Sequence, residues 1–250
     1  MRRCVIIPAR YGSSRFPGKP LTPLLGKPMV IWVAELSARA VGAENTFVAT
    51  EDRRIAEVVQ AAGFVALMTS ENALTGTDRL AEASMQVDYD IYVNVQGDEP
   101  LINPTDILAI ADRKATDLSV IVNGFCWISE NEDAHNVNIP KVVASEDGTL
   151  LYMSRAAVPG FKDPKCAPDR YAKQVCIYAF TRDDLDAFVE FGRKGRIEAI
   201  EDIEILRFFE LGRKIVVVET TSGSLAIDTP SDVALVEAEL RRTVPNNDAN

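Results

Sequence analysis

Three cations in one early loop carry the clearest chemical signal in this chain. Residues 6–20 read IIPARYGSSRFPGKP, with Arg10, Arg15 and Lys19 threaded among Gly12, Ser13, Ser14 and Gly18. Glycine allows a sharp turn and lets backbone N–H groups approach a ligand closely. Arg and Lys at the same turn supply positive charge for phosphate oxygens. The loop follows a short apolar run, Cys4-Val5-Ile6-Ile7, that reads as a buried strand ending at Pro8. Together these features suggest a nucleoside triphosphate cradle. Two familiar phosphate motifs do not fit: Gly12 and Gly18 are six apart, Lys19 precedes Pro20, and the loop has no G-x-G-x-x-G. On these residues alone, a solvated basic loop fits equally well.

Asp98 and Asp228 are the acidic candidates. Asp98 follows an apolar strand and a glycine in DIYVNVQGDEP, so its carboxylate would project from the end of a sheet. Asp228 closes Leu225-Ala226-Ile227-Asp228 in the same kind of place. Two carboxylates from separate strand ends suit a hard cation such as Mg²⁺, which keeps waters and binds substrate phosphates. Each also suits a simpler role, Asp98 as a cap and Asp228 in helix entry before Pro230. In Thr75-Gly76-Thr77-Asp78-Arg79, a helix cap at Thr77 or Asp78 competes with close approach of a base at Gly76 and an inward Arg79. Arg155, after a strand-like 149–151, could meet a carboxylate or lie on the surface. His135, the only histidine, sits in a polar stretch and is expected to be exposed. Glu198, Glu201 and Glu204 recur at helical spacing as a water-facing stripe, one member of which could turn into a cleft.

Those residues need a scaffold, and the first half supplies one in alternating signals. Helical spacing covers 29–39, 53–62 (closed by Gly63) and 78–86, while strands are predicted at 46–49, 64–68 and 90–95. Strands alternating with helices of this length imply βαβ units and a parallel sheet. Ligands in such sheets lie beyond the carboxyl ends of the strands, where the first loop and Gln96–Pro100 would both fall. The second half is less regular. Strands are predicted at 141–144, 176–180, 215–218 and 225–228, and helices at 197–212 and 233–242. The Pro-rich 158–169 reads as an excursion from the sheet, a lid or a subunit contact. The chain reads as a single domain over 1–250, with no repeat or linker dividing it.

Composition narrows the partners. With 250 residues and 47% hydrophobic content, one substantial core is affordable. A net charge of −10 argues against nucleic acid or an anionic membrane as main partner. An anionic ligand therefore needs a locally basic pocket. Cys4, Cys126, Cys166 and Cys176 are scattered without C-x-x-C, which suits reduced, cytoplasmic thiols better than zinc or disulfides. No apolar window is long enough to insert in a membrane.

Five segments, IIPARYGSSRFPGKPL, TGTDRLAE, NVQGDEPLI, LYMSRAAVP and AIDTPSDV, closely resemble in order and spacing the 3-deoxy-manno-octulosonate cytidylyltransferases (CMP-Kdo synthetases). The resemblance runs over essentially 5–240. It implies a three-layer α/β nucleotide-diphospho-sugar transferase fold, Rossmann-like, with a mainly parallel central sheet. It also implies a homodimer formed through the second-half excursion, around 150–190. Carried over by position, Pro8, Ala9, Arg10, Gly76, Arg79 and Gln96 would hold the nucleotide, and Arg15 and Lys19 would face the triphosphate. Asp98 and Asp228 would bind Mg²⁺. Arg155, Gln174 and Tyr178 would face the sugar acid, with Glu201 adding a charge-assisted contact. The implied reaction joins CTP and a 3-deoxy-octulosonate sugar acid, releasing pyrophosphate, for lipopolysaccharide biosynthesis.

Two departures fall at the sugar end. The family strand H-I-G-I-Y-A-Y-R stands here as Gln174-Val175-Cys176-Ile177-Tyr178-Ala179-Phe180-Thr181, so its histidine is Gln174. In the helix L-E-x-I-E-x-L-E-Q-L-R the glutamine is Ile205. An altered sugar end beside an intact nucleotide end implies a changed sugar. One family branch uses 8-amino-3,8-dideoxy-manno-octulosonate, whose ammonium could donate to the carbonyl oxygen of Gln174, where a cationic histidine would repel it. Ordinary Kdo is the alternative substrate. A sugar-1-phosphate transferase and a non-catalytic nucleotide-binding regulator are the rival readings.

Overall fold

A computed structural model describes residues 1–12, 16–130, 132–221, 225–227 and 229–243. In chain order its strands are β1 (Arg3–Pro8), β2 (Pro23–Leu24), β3 (Lys27–Pro28), β4 (Thr46–Thr50), β5 (Val65–Met68) and β6 (Ile91–Val95). Then come β7 (Ile121–Trp127), β8 (Lys141–Ala144), β9 (Leu150–Ser154), β10 (Ala172–Phe180) and β11 (Ile215–Glu219). The helices are α1 (Met29–Val41), α2 (Arg53–Ala61), α3 (Gly76–Ser84) and α4 (Pro104–Thr116), followed by α5 (Arg182–Glu190), α6 (Arg196–Glu201), α7 (Arg207–Glu210) and α8 (Asp232–Thr243).

The central sheet runs β11-β7-β10-β6-β1-β4-β5. Strands β1, β4, β5 and β6 pair in parallel, as do β7 and β11, while β10 runs antiparallel between β6 and β7. The hairpin β8–β9 attaches to the start of β10. Both faces are covered, so β4 and β6 are buried at every position and read as unbroken runs rather than alternating ones. The strand period of two still sorts their side chains. Val5, Ile7 and Val93 cluster with Val30, Val33 and Ile107 under α1 and α4. Cys4, Ile6 and Tyr92 cluster with Leu80, Phe188 and Phe208 on the other face. A third cluster sets Val236 and Leu240 of α8 on Leu24, Met29 and Ile227, which brings the end of the chain against its beginning. No described helix is long and apolar enough to cross a membrane.

Helix starts follow local chemistry. Asp52 accepts from the Arg54 N–H at the head of α2, and Thr75 from the Asp78 N–H at the head of α3, so α3 begins at Gly76, two residues before the expected start. Two helices absent from the sequence prediction, α4 and α5, carry good caps: Asn103 followed by Pro104, and a capping box between Thr181 and Asp184; the central strand β7 is also absent from it.

Three expectations need correction. The single helix predicted over 197–212 is broken at Asp202, whose φ of 50° is left-handed, and continues as a 3₁₀ turn and α7. The strand predicted over 225–228 is not one: 225–227 is an irregular segment, and Asp228 lies outside the described residues. The excursion is narrower than 150–190, because β9, β10 and α5 lie within that span and the two strands belong to the sheet.

Candidate active site

A cleft of about 820 Å³ opens beyond the carboxyl ends of β1 and β6, a size suited to a small-molecule substrate. Its floor is backbone packed too closely for side chains. A Cβ on Gly97 would come within 2.9 Å of the Pro8 carbonyl oxygen, so only glycine lets the ends of β1 and β6 meet there. A Cβ on Gly76 would stand 3.1 Å from Gln96 Nε2 and 3.4 Å from Pro8 Cγ. The first turn of α3 therefore lies directly on the cleft, with the positive end of its backbone dipole turned that way.

The structure brings most of the sequence-derived residues to this one place. Pro8, Ala9, Arg10, Lys19, Gly76, Arg79, Gln96, Asp98, Arg155, Gln174 and Tyr178 all line this one cleft. Arg15 and Asp228 lie outside the described residues. Lys19 Nζ donates to Asp98 Oδ2 at 2.6 Å and to the Ile227 carbonyl at 2.8 Å. Arg79 is buried, and its guanidinium pairs with Glu51 at 3.0 Å and hydrogen bonds Thr69. Burial lowers its pKa, with the Glu51 charge opposing. Glu51 also accepts from the Tyr11 N–H at 2.8 Å, so one carboxylate braces both Arg79 and the entry to the cationic loop.

Two side chains depart from expectation. Arg155 lines the cleft, yet its guanidinium donates to the carbonyls of Val137, Glu201 and Asp202. Glu201 does not line it: its carboxylate accepts from Ser154 Oγ at 2.7 Å, the Arg155 N–H at 2.8 Å and Tyr152 at 3.2 Å. Burial pushes the Glu201 carboxyl up, but the bonds from Arg155, Ser154 and Tyr152 prevail and hold it below the usual range. Glu198 and Glu204 of the stripe line the cleft; Glu198 is engaged by the Arg207 guanidinium, while Glu204 accepts from Gln96 Nε2 at 3.0 Å and the Thr77 N–H at 3.1 Å. The left-handed turn at Asp202 rotates Glu204 away from the helical stripe, so spacing alone could not distinguish it. Burial raises the Glu204 carboxyl above its ordinary value. Burial likewise pushes the Cys176 thiol and the Tyr178 phenol well up, and the Glu99 and Glu204 charges push each the same way.

A metal would find hard oxygen donors here. No group of three or more His, Cys, Asp or Glu is placed to hold an ion among the described residues. Asp98 nevertheless fits, because the Lys19 ammonium already sits between a carboxylate oxygen and a backbone carbonyl, the ligand types Mg²⁺ prefers.

The sequence model of the cytidylyltransferase family matches residues 4–215. The chain belongs to that family. This cytidylyltransferase is 39% identical over 96% of its length to the 8-amino-3,8-dideoxy-manno-octulosonate cytidylyltransferase of Shewanella oneidensis, covering 99% of it. It is 42% identical over 97% of its length to the 3-deoxy-manno-octulosonate cytidylyltransferase of Geobacter metallireducens, again covering 99%. Its fold superposes on CMP:2-keto-3-deoxy-manno-octonic acid synthetase complexed with CTP with a TM-score of 0.90 and 37% identity, over 98% of this chain and 100% of that one. A Leptospira borgpetersenii cytidylyltransferase shares the fold at 18% identity and a TM-score of 0.66, over 98% of this chain and 88% of that one. The enzyme is a nucleotidyltransferase with the mainly parallel α/β sandwich expected of it.

Proposed function

We propose that this enzyme transfers CMP from CTP to the anomeric hydroxyl of 8-amino-3,8-dideoxy-manno-octulosonate, releasing pyrophosphate. The observation that carries the choice of sugar is the amide of Gln174. Its Nε2 donates to Asn123 Oδ1 at 3.3 Å and to the Tyr178 hydroxyl at 3.2 Å. The carbonyl oxygen is thus the group it offers to the cleft, and an ammonium, with three donors and no acceptor, is its natural complement. Glu99 and Glu204 line the same cleft and add carboxyl oxygens that can accept a hydrogen bond.

In this reading Pro8, Ala9, Arg10, Gly76, Arg79 and Gln96 hold the nucleotide, and Arg15 and Lys19 neutralise charge developing on the leaving pyrophosphate. Asp98 and Asp228 would hold Mg²⁺, whose charge helps ionise the attacking hydroxyl and neutralise the phosphates. The anomeric oxygen attacks the α-phosphorus in line, and no side chain becomes a covalent nucleophile. Positioning and charge stabilisation supply the catalysis. The enzyme works in the cytoplasm as a homodimer, with the exposed segment between β9 and β10, including the half-exposed Phe161, as the contact between copies.

The second reading, the same reaction on ordinary Kdo, is supported by the 42% identity to the Geobacter protein. Pyrophosphate release from CTP and Mg²⁺, followed separately with each sugar, decides between them. A higher kcat/KM for the amino sugar is expected. A preference for Kdo would return the enzyme to the ordinary substrate.

A further inference from the structure

Asn123 is completely buried on β7, opposite Tyr178 of β10. The pairing of β7 with β10 shifts register between Val175 and Tyr178, a bulge that leaves strand carbonyls in need of donors. Asn123 Nδ2 supplies both: it donates to the Val175 carbonyl at 2.8 Å and to the Ile177 carbonyl at 3.0 Å. Exchanging its nitrogen and oxygen would press Oδ1 against two carbonyls, so the orientation of this amide is fixed. Its Oδ1 is then an obligatory acceptor, and the neighbouring Gln174 must turn its NH₂ towards it. The Tyr178 hydroxyl, itself hydrogen bonded to Cys176, accepts from the same NH₂. Both protons of the Gln174 amide are thereby occupied, while Gln174 Oε1 has no protein partner among the described residues.

We propose that Asn123 is a specificity-setting positioning residue: with Tyr178 as second anchor, it locks the Gln174 amide so that a carbonyl oxygen faces the sugar. The inference rests on the reading that the sugar lies against β10. A free glutamine could flip its amide and present an NH₂ to a hydroxyl substituent. A locked one offers only an acceptor, which favours a group that donates with a positive charge. The bulge therefore does more than shape the strand, because its carbonyls dictate which end of a side chain two hydrogen bonds away meets the substrate.

The test is the ratio of kcat/KM for 8-amino-Kdo over Kdo, measured on the wild type, Asn123→Ala and Tyr178→Phe. A simple loss of folded enzyme lowers both values equally and leaves the ratio unmoved. Wild type is expected to favour the amino sugar, and Asn123→Ala to reduce that ratio by about tenfold, the worth of one charge-assisted hydrogen bond. Tyr178→Phe, which deletes the second anchor in a conservative change, should reduce it less, by about threefold, and decides the matter if Asn123→Ala does not fold. A wild-type preference that survives unchanged in every variant that folds overturns the role of Asn123 alone. A wild type without preference overturns the sugar assignment and this inference with it.

Discussion

Lys19 and Asp98, 79 residues apart in sequence, meet with Nζ 2.6 Å from Oδ2 at the mouth of the cleft. The contact is one side of a closed ring. Lys19 also donates to the Ile227 carbonyl, and the Ile227 N–H donates to the Asp98 carbonyl at 3.0 Å. Three distant segments, the cationic loop, the turn after β6 and the approach to α8, are thus tied at one point. The packing of α8 on Leu24 and Met29 holds the third segment in place. In the proposed reaction an arriving triphosphate competes with Asp98 for Lys19, which leaves the carboxylate available to a cation.

Asp98→Asn tests that ring. The side chains of Lys19 and Asp98 are partly buried, 16% and 28% exposed, but Lys19 can still donate to the amide oxygen of the substituted Asn, so the change should cost only about 1–2 kcal/mol of stability. Loss of a preorganised charge at the reacting phosphate typically costs about 10²-fold or more in kcat. The expected result is a collapse of pyrophosphate release with a melting temperature within a few degrees of wild type. Full activity in the variant would remove Asp98 from any metal or phosphate role.

Arg207→Met should be mainly a stability lesion. The Arg207 guanidinium is wholly buried, donates to Glu198 at 2.7 and 2.8 Å and to Asp78 at 2.9 and 3.2 Å, and lies over the Phe188 ring. Without it two carboxylates remain buried and unneutralised, a loss of about 3–5 kcal/mol. Asp78 also accepts from Thr75 Oγ1 at the head of α3, so KM for CTP should rise in whatever fraction folds. Urea unfolding reads the first effect and initial rates the second. A loss below about 1 kcal/mol would contradict the buried triad.

Much of this arrangement was legible because its signals are local. The apolar run before Pro8, the cationic residues Arg10 and Lys19, and the glycine before Asp98 each mark a strand end, and Pro8, Arg10, Lys19, Gly97 and Asp98 all line one cleft. Long-range choices left no such mark. The antiparallel direction of β10 is invisible in its composition, since strands buried on both faces look alike in either direction. Arg155 was the right type in the right region, but its guanidinium turns to three backbone carbonyls that the loops around Val137 and Asp202 present. Glu201 turns to Ser154, Tyr152 and the Arg155 N–H, and Glu204 turns to the cleft, because one left-handed residue interrupts the helix. For α4, by contrast, the signal is local: Asn103 caps the helix and Pro104 occupies its first turn.

The carboxyl of Glu204 predicts a pH effect of definite sign. Burial raises its folded-state pKa above the unfolded glutamate value of 4.5. The neutral form is therefore favoured by folding, so its contribution is fully present below pH 4.5 and is lost as pH rises through the higher folded value. Glu204→Gln cannot ionise and loses nothing over that range. The stability of the variant relative to wild type, followed by thermal unfolding between about pH 4 and pH 8, should climb and then level off. A difference that falls with pH would mean that the bonds from Thr77 and Gln96 stabilise the charged carboxylate more than burial penalises it.

Gln174→His restores the side chain found at this position in the resembling family and should reverse the choice of sugar. An imidazole beside an ammonium is disfavoured whenever it is protonated, and when neutral it offers one donor and one acceptor rather than a fixed carbonyl. The penalty falls on the amino sugar alone, because a hydroxyl can both donate and accept. Replacing a charge-assisted bond of about 1.5–3 kcal/mol by repulsion or a neutral contact predicts a loss of at least about tenfold in kcat/KM for 8-amino-Kdo. The value for Kdo should hold or improve. Because the nucleotide end is untouched, KM for CTP should stay constant with either sugar, which separates a change in recognition from general damage to the cleft. Equal losses for both sugars would show that Gln174 supports the strand rather than reading the substrate.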